Sequence, residues 1–295
     1  MRFKRLFPLL ISLLILVGCV DGFSADKPRQ NEGLIIDFFN VGQGDCALIT
    51  LPDERTVLID SGNNNDGSLL VNRFKSLGIH KIDYFIATHP HEDHIGGADD
   101  IINALEVKAL YMPNIPQKHI PTTDTYEQFL EAAIANNITT KDVKSGDILL
   151  SEENLKISFL APNGDYYKEL NDYSLVTYLK YYDNTVLFMG DAEEISEGEI
   201  CEKYPELKAD IIKVGHHGGE SSSTDKFLKL VSPKTAVISC GKKNHYNHPN
   251  KNTLKRYNSI GCTIYQTSRE NSIRAILKPE GYKFQNNNNF NVNGG

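Results

Sequence analysis

The sequence predicts an α/β fold, a four-layer αββα sandwich in which helices cover the outer faces of two central β-sheets. Strand-like runs rich in β-branched and aromatic residues come in two batches, one before residue 113 and one after residue 146. Helical patterns accompany both batches, which is the arrangement of two sheets that each carry an outer helical layer. No internal repeat of solenoid length interrupts this order.

The predicted elements follow from hydrophobic periodicity and from the turn residues between them. In the first batch the predicted strands are 34–40, 46–51, 56–60, 82–88 and 107–112, and the predicted helices are 68–77, 98–105 and 125–136. In the second batch the predicted strands are 147–150, 155–160, 174–181, 185–189, 210–214, 235–239, 262–266 and 272–277, and the predicted helices are 193–203, 225–230 and 250–257.

Residues 1–18 have the pattern of a secretory signal, with three basic residues before the apolar run 6–17. This run is shorter than the roughly 20 residues of a membrane-spanning helix. Small residues lead into Cys19, so the segment resembles a bacterial lipoprotein signal that is cleaved before a lipidated Cys19. An uncleaved anchor and an ordinary signal cut near Ala25 are the alternatives. Each of them exports the protein, and the lipoprotein form would face the periplasm or cell exterior without a transmembrane segment.

The remaining chain divides into three parts. Residues 19–32 are polar and predict a flexible tether, residues 33–284 predict one domain, and the Asn-rich residues 285–295 predict a disordered tail. Four further cysteines occur in no Cys-x-x-Cys pair and are interpreted as small core residues, with a disulfide left open. They are Cys46, Cys201, Cys240 and Cys262.

The formal net charge of −7 argues against binding of nucleic acid through a broad basic surface, because that mode depends on many Lys and Arg contacts to phosphates. A phosphate substrate that is held by a metal ion is compatible with this charge.

Three histidines and an aspartate lie within six residues, directly after an apolar strand. His89 and His91 alternate, so they can point the same way from an extended chain, while Asp93 and His94 follow the start of a turn and can face a second ion. A lone histidine here would more often be a core or solvated side chain. Four ligand-type residues at this spacing predict a metal site, and their chemistry suits zinc, with manganese or iron as alternatives.

The spacing His89-x-His91-x-Asp93-His94 resembles that of the metallo-β-lactamase superfamily. Within it, the sequence resembles the extracellular hydrolase domain of the bacterial competence DNA-uptake channel (ComEC/Rec2 type) and its stand-alone relatives. The resemblance covers about residues 34–277 and implies the metallo-β-lactamase fold. The matching segments are 39–45 (FNVGQGD), 58–62 (LIDSG), 171–176 (NDYSLV), 188–191 (FMGD), 213–218 (KVGHHG) and 244–249 (NHYNHP).

The resemblance implies a binuclear metal centre. The implied metal ligands are His89, His91, Asp93, His94, Asp191 and His217. Asp191 would bridge both ions, whereas without the resemblance an aspartate after a strand would be interpreted as a helix N-cap. His217 is favoured as the ligand and His216 as the substrate contact, although the sequence alone does not decide between them.

Four residues are predicted beside the metal ligands. Asp60 ends an apolar strand and could orient a ligand, with a turn cap as the alternative. His248 resembles a family histidine near the pocket, which could bind a phosphate oxygen or protonate a leaving group; an ordinary loop histidine is the alternative. Many relatives use a third histidine for the first ion. Here Asn171 and Ser174 occupy that stretch, so this ion would be held more weakly or completed by water.

The implied function is hydrolysis of a phosphodiester by water activated on two divalent ions, with Zn²⁺ favoured over Mn²⁺. Asp93 and Asp191 would position the attacking hydroxide, and His216 and His248 would balance charge on the substrate. DNA and a cell-surface phosphodiester, such as choline-decorated teichoic acid, are the candidate substrates. The alternatives are a β-lactam or other ester or amide hydrolase, and a non-catalytic lipoprotein accessory of DNA uptake or envelope assembly.

Overall fold

The computed structural model describes residues 33–286, whose strands form two large β-sheets and one small one. The predicted signal (1–18), the lipidated Cys19 and the tether (19–32) lie outside the described residues, as do residues 287–295 of the predicted tail. None of the helices in the described part of the chain is long and apolar enough to cross a membrane.

The elements occur in the predicted order. In the first half they are β1 (Leu34–Phe38), β2 (Ala47–Thr50), β3 (Thr56–Ile59), α1 (Gly67–Ser76), β4 (Lys81–Ile82), β5 (Tyr84–Ile86), α2 (Glu92–Ile95), α3 (Ala98–Ala104), β6 (Glu106–Val107), β7 (Ala109–Pro113), α4 (Asp124–Ala135) and β8 (Thr139–Val143). In the second half they are β9 (Ile148–Ser151), β10 (Leu155–Ala161), β11 (Val176–Tyr181), β12 (Asn184–Phe188), α5 (Glu194–Lys203), β13 (Ile211–Lys213), α6 (Asp225–Val231), β14 (Thr235–Ile238), α7 (Lys251–Ser259), β15 (Thr263–Gln266), α8 (Thr267–Glu270), β16 (Ile273–Lys278) and β17 (Gly281–Asn286).

Each large sheet has an antiparallel part and a parallel part. The first has the strand order β17-β16-β1-β2-β3-β5-β7-β8, and its strands from β3 to β8 are parallel. The second has the order β15-β14-β13-β12-β11-β10-β9, and its strands from β15 to β12 are parallel. Loops that follow the carboxyl ends of parallel strands commonly carry the functional residues of α/β sheets.

The main core lies between the two large sheets. Alternate residues Leu34, Ile36 and Phe38 of β1 share one buried cluster with Val186 and Phe188 of β12. The rings of Phe38 and Phe188 stack across the interface with centroids 5.9 Å apart. Because side chains alternate between the faces of a strand, the intervening residues are free to bury against a helical layer.

Helices cover the outer face of each sheet. Phe74 of α1 and Phe129 of α4 pack in one cluster with Leu58 of the first sheet. Ile200 of α5 and Phe227 of α6 pack in another cluster that includes strands of the second sheet. The predicted αββα sandwich is therefore confirmed. The four cysteines among the described residues are buried and free, which confirms their interpretation as core residues.

Two predicted strands are interrupted. The strand predicted at 82–88 is divided at Asp83 and ends at Ile86, and the strand predicted at 107–112 is divided at Lys108. The buried Asp83 carboxylate accepts a hydrogen bond from Thr56 N and lies 3.0 Å from Lys108 Nζ. The short pieces β4 and β6 pair with each other in a separate two-stranded sheet.

The short helices α2 and α8 were not predicted from the sequence, and neither were the strands β8 and β17. Both are edge strands, and β8 is exposed at four of its five residues, so it lacks the apolar alternation that marks a half-buried strand. β17 continues to Asn286, two residues beyond the predicted domain end at 284, because Gln285 and Asn286 pair with Arg274 and Ile273 of β16. The predicted disorder is therefore wrong for these two residues.

Candidate metal centre

The predicted ligands converge where loops of the two sheets meet. Asp60 follows β3 and His89 follows β5 in the first sheet, whereas Asp191 follows β12 and His217 follows β13 in the second. The two sides are in contact, since His94 Nε2 lies 3.2 Å from Asp191 Oδ1. An open cleft of about 340 Å³ leads to the cluster, and it is lined by Gln43, His91, Glu92, Asp93, Asn171, Asp191, His216, His217, Tyr246 and His248.

The first group of candidate metal ligands consists of His89, His91 and Asp191. His89 Nε2 lies 3.0 Å from His91 Nδ1 and 3.9 Å from Asp191 Oδ2. His89 Nδ1 lies 3.1 Å from the Thr88 hydroxyl, which donates its own proton to Asp60 at 2.8 Å. The Thr88 hydroxyl therefore accepts a hydrogen bond from His89 Nδ1. The unprotonated Nε2 of His89 is directed to His91 and Asp191.

The second group consists of Asp93, His94, Asp191 and His217, whose ligand atoms all lie within 4.8 Å of one another. His217 Nε2 lies 3.1 Å from Asp93 Oδ2 and 3.5 Å from Asp191 Oδ2. Asp191 thus contributes to both groups, with its backbone N–H anchored on the Ser174 hydroxyl at 3.0 Å. The N-cap of α5 is Glu193, so Asp191 is not the cap of that helix.

Hydrogen bonds at the back of two rings show that this cluster fits a cation. His94 Nδ1 lies 2.8 Å from Asp60 Oδ2, and His217 Nδ1 lies 3.0 Å from the Ser239 carbonyl oxygen. Both partners are acceptors, so each ring carries a proton on Nδ1 and presents Nε2 to carboxylate oxygens. His94 Nε2 and Asp191 Oδ1 are buried and have no hydrogen-bond partner in the described structure. A metal ion between these nitrogens and oxygens would replace the proton on Nε2, because imidazole nitrogen and carboxylate oxygen are both metal ligands.

The pKa shifts describe the same negative potential. Burial lowers the pKa of His217, but Asp191 and Asp45 outweigh it and raise the pKa to about 10. Burial is likewise outweighed at His94, where Asp191 and Asp60 raise the pKa well above its usual value. Burial by itself raises the pKa of Asp191, but the neighbouring His217 and His94 outweigh it and hold that pKa well below its usual range. A site that attracts protons this strongly also attracts a divalent cation.

His216 points away from this cluster, towards the cleft. Its Nδ1 lies 2.6 Å from Glu193 Oε1, and its Nε2 lies 3.5 Å from Asn171 Nδ2. Burial by itself lowers the pKa of His216, but the hydrogen bond to Glu193 outweighs it and raises that pKa. The His248 ring lies 5.1 Å from the His216 ring, and burial together with His216 lowers the pKa of His248 to about 4.

The structure brings together all the residues predicted for the metal centre and its cleft. Asp60 lies behind His94 and also accepts from Thr88 N at 2.8 Å, so it does not act as a turn cap alone. His119, a further histidine between His94 and Asp191 in the sequence, contacts the rings of Tyr166 and Tyr173 and takes no part in the centre. The sequence analysis missed Asp45, Lys213 and Glu193 as site residues, although the first two end and begin matching segments and so carried a signal.

The fold and this cluster define a class of protein. Residues 39–242 match the family model of the metallo-beta-lactamase superfamily, and the chain belongs to that superfamily.

Its relatives include one named as a competence protein, ComA of Neisseria gonorrhoeae, which is 24% identical over 93% of this chain and 36% of the relative, and this confirms the predicted branch. The chain is 30% identical to ComE operon protein 3 of Bacillus subtilis over 82% of its own length and 33% of the relative's. It is 26% identical to Recombination protein 2 of Haemophilus influenzae over 81% of its own length and 28% of the relative's. The chain therefore spans about a third of the length of these curated relatives.

A solved structure with the same fold is CmlA, a diiron beta-hydroxylase from Streptomyces venezuelae. The TM-score is 0.54 at 13% identity, and the match covers 86% of this chain and 54% of that one.

Proposed function

We propose that this protein is a metal-dependent phosphodiesterase with a binuclear centre. The observation that supports this most strongly is that His94 and His217 each hold Nδ1 against an acceptor and turn Nε2 to the carboxylates of Asp93 and Asp191. The open cleft beside them carries three side chains that suit a phosphate group, namely Asn171, His216 and His248. A relative named as a competence protein, ComA of Neisseria gonorrhoeae, favours a nucleic-acid or other phosphodiester substrate over a β-lactam.

The residues of the chain would divide the work as follows. His89, His91 and Asp191 would hold one ion, and Asp93, His94, His217 and Asp191 the other. Two bound divalent ions supply Lewis acidity and activate water for attack on a phosphoryl group. Zn²⁺ is favoured by the nitrogen and oxygen donors, and Mn²⁺ and iron suit the same donors. Asp93 and Asp191 orient the attacking water, while His216 and His248 contact the substrate.

Glu193 is proposed to position His216 for the substrate. Glu193→Ala is expected to lower kcat/KM for a phosphodiester by about 10- to 100-fold, because a misplaced contact of about 1 Å costs up to roughly that factor. Metal content should stay at the wild-type value, because the Glu193 carboxylate contacts His216, Asn171 and Ser221 and none of the proposed metal ligands. Steady-state kinetics measures the effect, and Glu194→Ala on the exposed neighbouring position is the matched control. Identical kinetics for wild type and Glu193→Ala would contradict this role.

A substrate screen tests the proposed function. Purified protein loaded with Mn²⁺ or Zn²⁺ is expected to hydrolyse bis(p-nitrophenyl) phosphate, and p-nitrophenyl phosphorylcholine and a chromogenic β-lactam are assayed beside it. Turnover of the β-lactam without turnover of either diester would overturn the assignment in favour of a β-lactam hydrolase. Bound metal without any turnover would favour the non-catalytic accessory protein.

We further propose that the protein is exported and anchored to the membrane through a lipid on Cys19. The basic residues, the short apolar run and the cysteine at 1–19 support this location. DNA and a cell-surface phosphodiester remain the candidate substrates. The charge of −7 favours the smaller cell-surface substrate, whereas the relative named as a competence protein favours DNA.

A further inference from the structure

Two charged residues at the ends of matching segments meet beneath the metal centre. Asp45 ends the segment 39–45, and Lys213 begins the segment 213–218. Their side chains form an ion pair with Lys213 Nζ 2.5 Å from Asp45 Oδ2, and only 4% and 6% of the two side chains are exposed. Lys213 Nζ also donates to Val214 O at 2.7 Å. The pair joins the loop after β1 in the first sheet to β13 in the second.

Stability does not explain this pair. Burial removes the hydration of both charges, and a well-packed apolar pair of similar volume is often as stable or more stable. Ile211, two residues before Lys213 and on the same face of β13, lies in the apolar core between the sheets. An apolar residue would therefore suit position 213 as well, which points to a role for the charges.

The second oxygen of Asp45 lies behind a proposed metal ligand. Asp45 Oδ1 is 3.3 Å from His217 Nδ1 and otherwise lacks a hydrogen-bond partner among the described residues. The same Nδ1 donates to Ser239 O at 3.0 Å. Two acceptors thus hold the imidazole from behind and direct Nε2 to Asp93 Oδ2, 3.1 Å away.

The backbone of Asp45 is tied to the same ligand group. Asp45 N donates to Asp93 O at 3.0 Å. This approach needs glycine at position 44, because a Cβ on Gly44 would lie 2.6 Å from Asp93 O and its φ is +154°. His217 has a φ of 52°, in the left-handed region, and such a conformation persists only where its surroundings hold it.

We propose that Asp45 and Lys213 are positioning residues for the second metal ion. Asp45 holds the His217 ring and the Asp93 backbone in binding geometry, and Lys213 fixes the orientation of the Asp45 carboxylate. The inference rests on the proposed function only in that the chain binds divalent ions. It goes beyond that function because it assigns a positioning role to two residues that contact neither substrate nor ion.

Titration of the metal-free full-length protein with Co²⁺, followed by its visible absorption, tests the inference. Asp45→Asn and Lys213→Met are each expected to weaken one of the two binding steps by about 10- to 100-fold, the usual cost of losing a residue that orients a ligand, and to leave the other step unchanged. Asp37→Asn is the matched control. Asp37 lies on β1, is also buried, and its carboxylate lies 2.6 Å from Arg274 Nε. Both binding steps should be unchanged in that variant.

The double variant Asp45→Leu with Lys213→Met separates positioning from stability. It leaves no unpaired buried charge, so its metal-free unfolding midpoint in urea should equal or exceed that of wild type. One Co²⁺ should nevertheless bind weakly. Wild-type Co²⁺ affinity in the double variant or in Asp45→Asn overturns the inference and leaves the proposed function intact. A wild-type protein that binds no Co²⁺ overturns both.

Discussion

Asp191→Asn is expected to lower hydrolysis of bis(p-nitrophenyl) phosphate by at least about 100-fold, since loss of a group that merely orients a metal ligand already costs up to that factor. Asp191 is the one residue shared by both proposed ligand groups. Its Oδ1 lies 3.2 Å from His94 Nε2, and its Oδ2 lies 3.5 Å from His217 Nε2 and 3.9 Å from His89 Nε2. The neutral amide removes a charge from both groups, so kcat and metal content should fall together.

A suitable control for this variant is Asp210→Asn. Asp210 precedes β13 at the opposite end of the second sheet, where it accepts from Thr185 N at 3.0 Å and pairs with Lys234. It tests loss of a structural carboxylate that lies away from the cleft. Activity per folded protein should stay within about twofold of wild type, because Asp210 shares no partner with the proposed ligands and distant sites usually act independently. Equal activities for Asp191→Asn and wild type would refute the binuclear assignment.

Addition of divalent metal is expected to raise the thermal midpoint of the metal-free protein by about 8 to 16 °C. A ligand at 1,000 times its Kd stabilises the folded state by about 4.1 kcal/mol, and 1 kcal/mol shifts the midpoint of a domain of this size by about 2 to 4 °C. The ions gain this energy from carboxylates and imidazoles that are already gathered in the folded chain, whereas an unfolded chain offers no such cluster. Differential scanning calorimetry with Zn²⁺, Mn²⁺ and EDTA measures the shift.

Two comparisons make this thermal experiment specific. The shift should be retained in Asp210→Asn and largely lost in Asp191→Asn. Mg²⁺ serves as the ionic-strength control, because it keeps its waters and suits an oxygen-only site. A shift of the same size with Mg²⁺, or in Asp191→Asn, would show that the ions bind elsewhere.

The order of elements and their layers could be predicted because each depends on local pattern. β1 shows this, since Leu34, Ile36 and Phe38 alternate with residues on the other face and the run 34–39 lies between Gly33 and Asn40. The ligand-rich segment His89 to His94 was also visible, because its spacing is compressed into six residues. Strands without an apolar face could not be predicted from hydrophobic alternation. One example is β8, at the edge of the first sheet.

The sequence alone determined the αββα architecture, the family and the residue types available to bind metal. Tertiary structure decided which of His216 and His217 turns to the ligand cluster, and which groups stand behind the ligands. His217 and Asp93 are 124 residues apart, and Asp45 and Lys213 come from different sheets. Periodicity encodes the face on which a side chain lies within its own element, but the contact between two elements depends on how their sheets pack. The direction of each imidazole is therefore settled only when the two sheets meet.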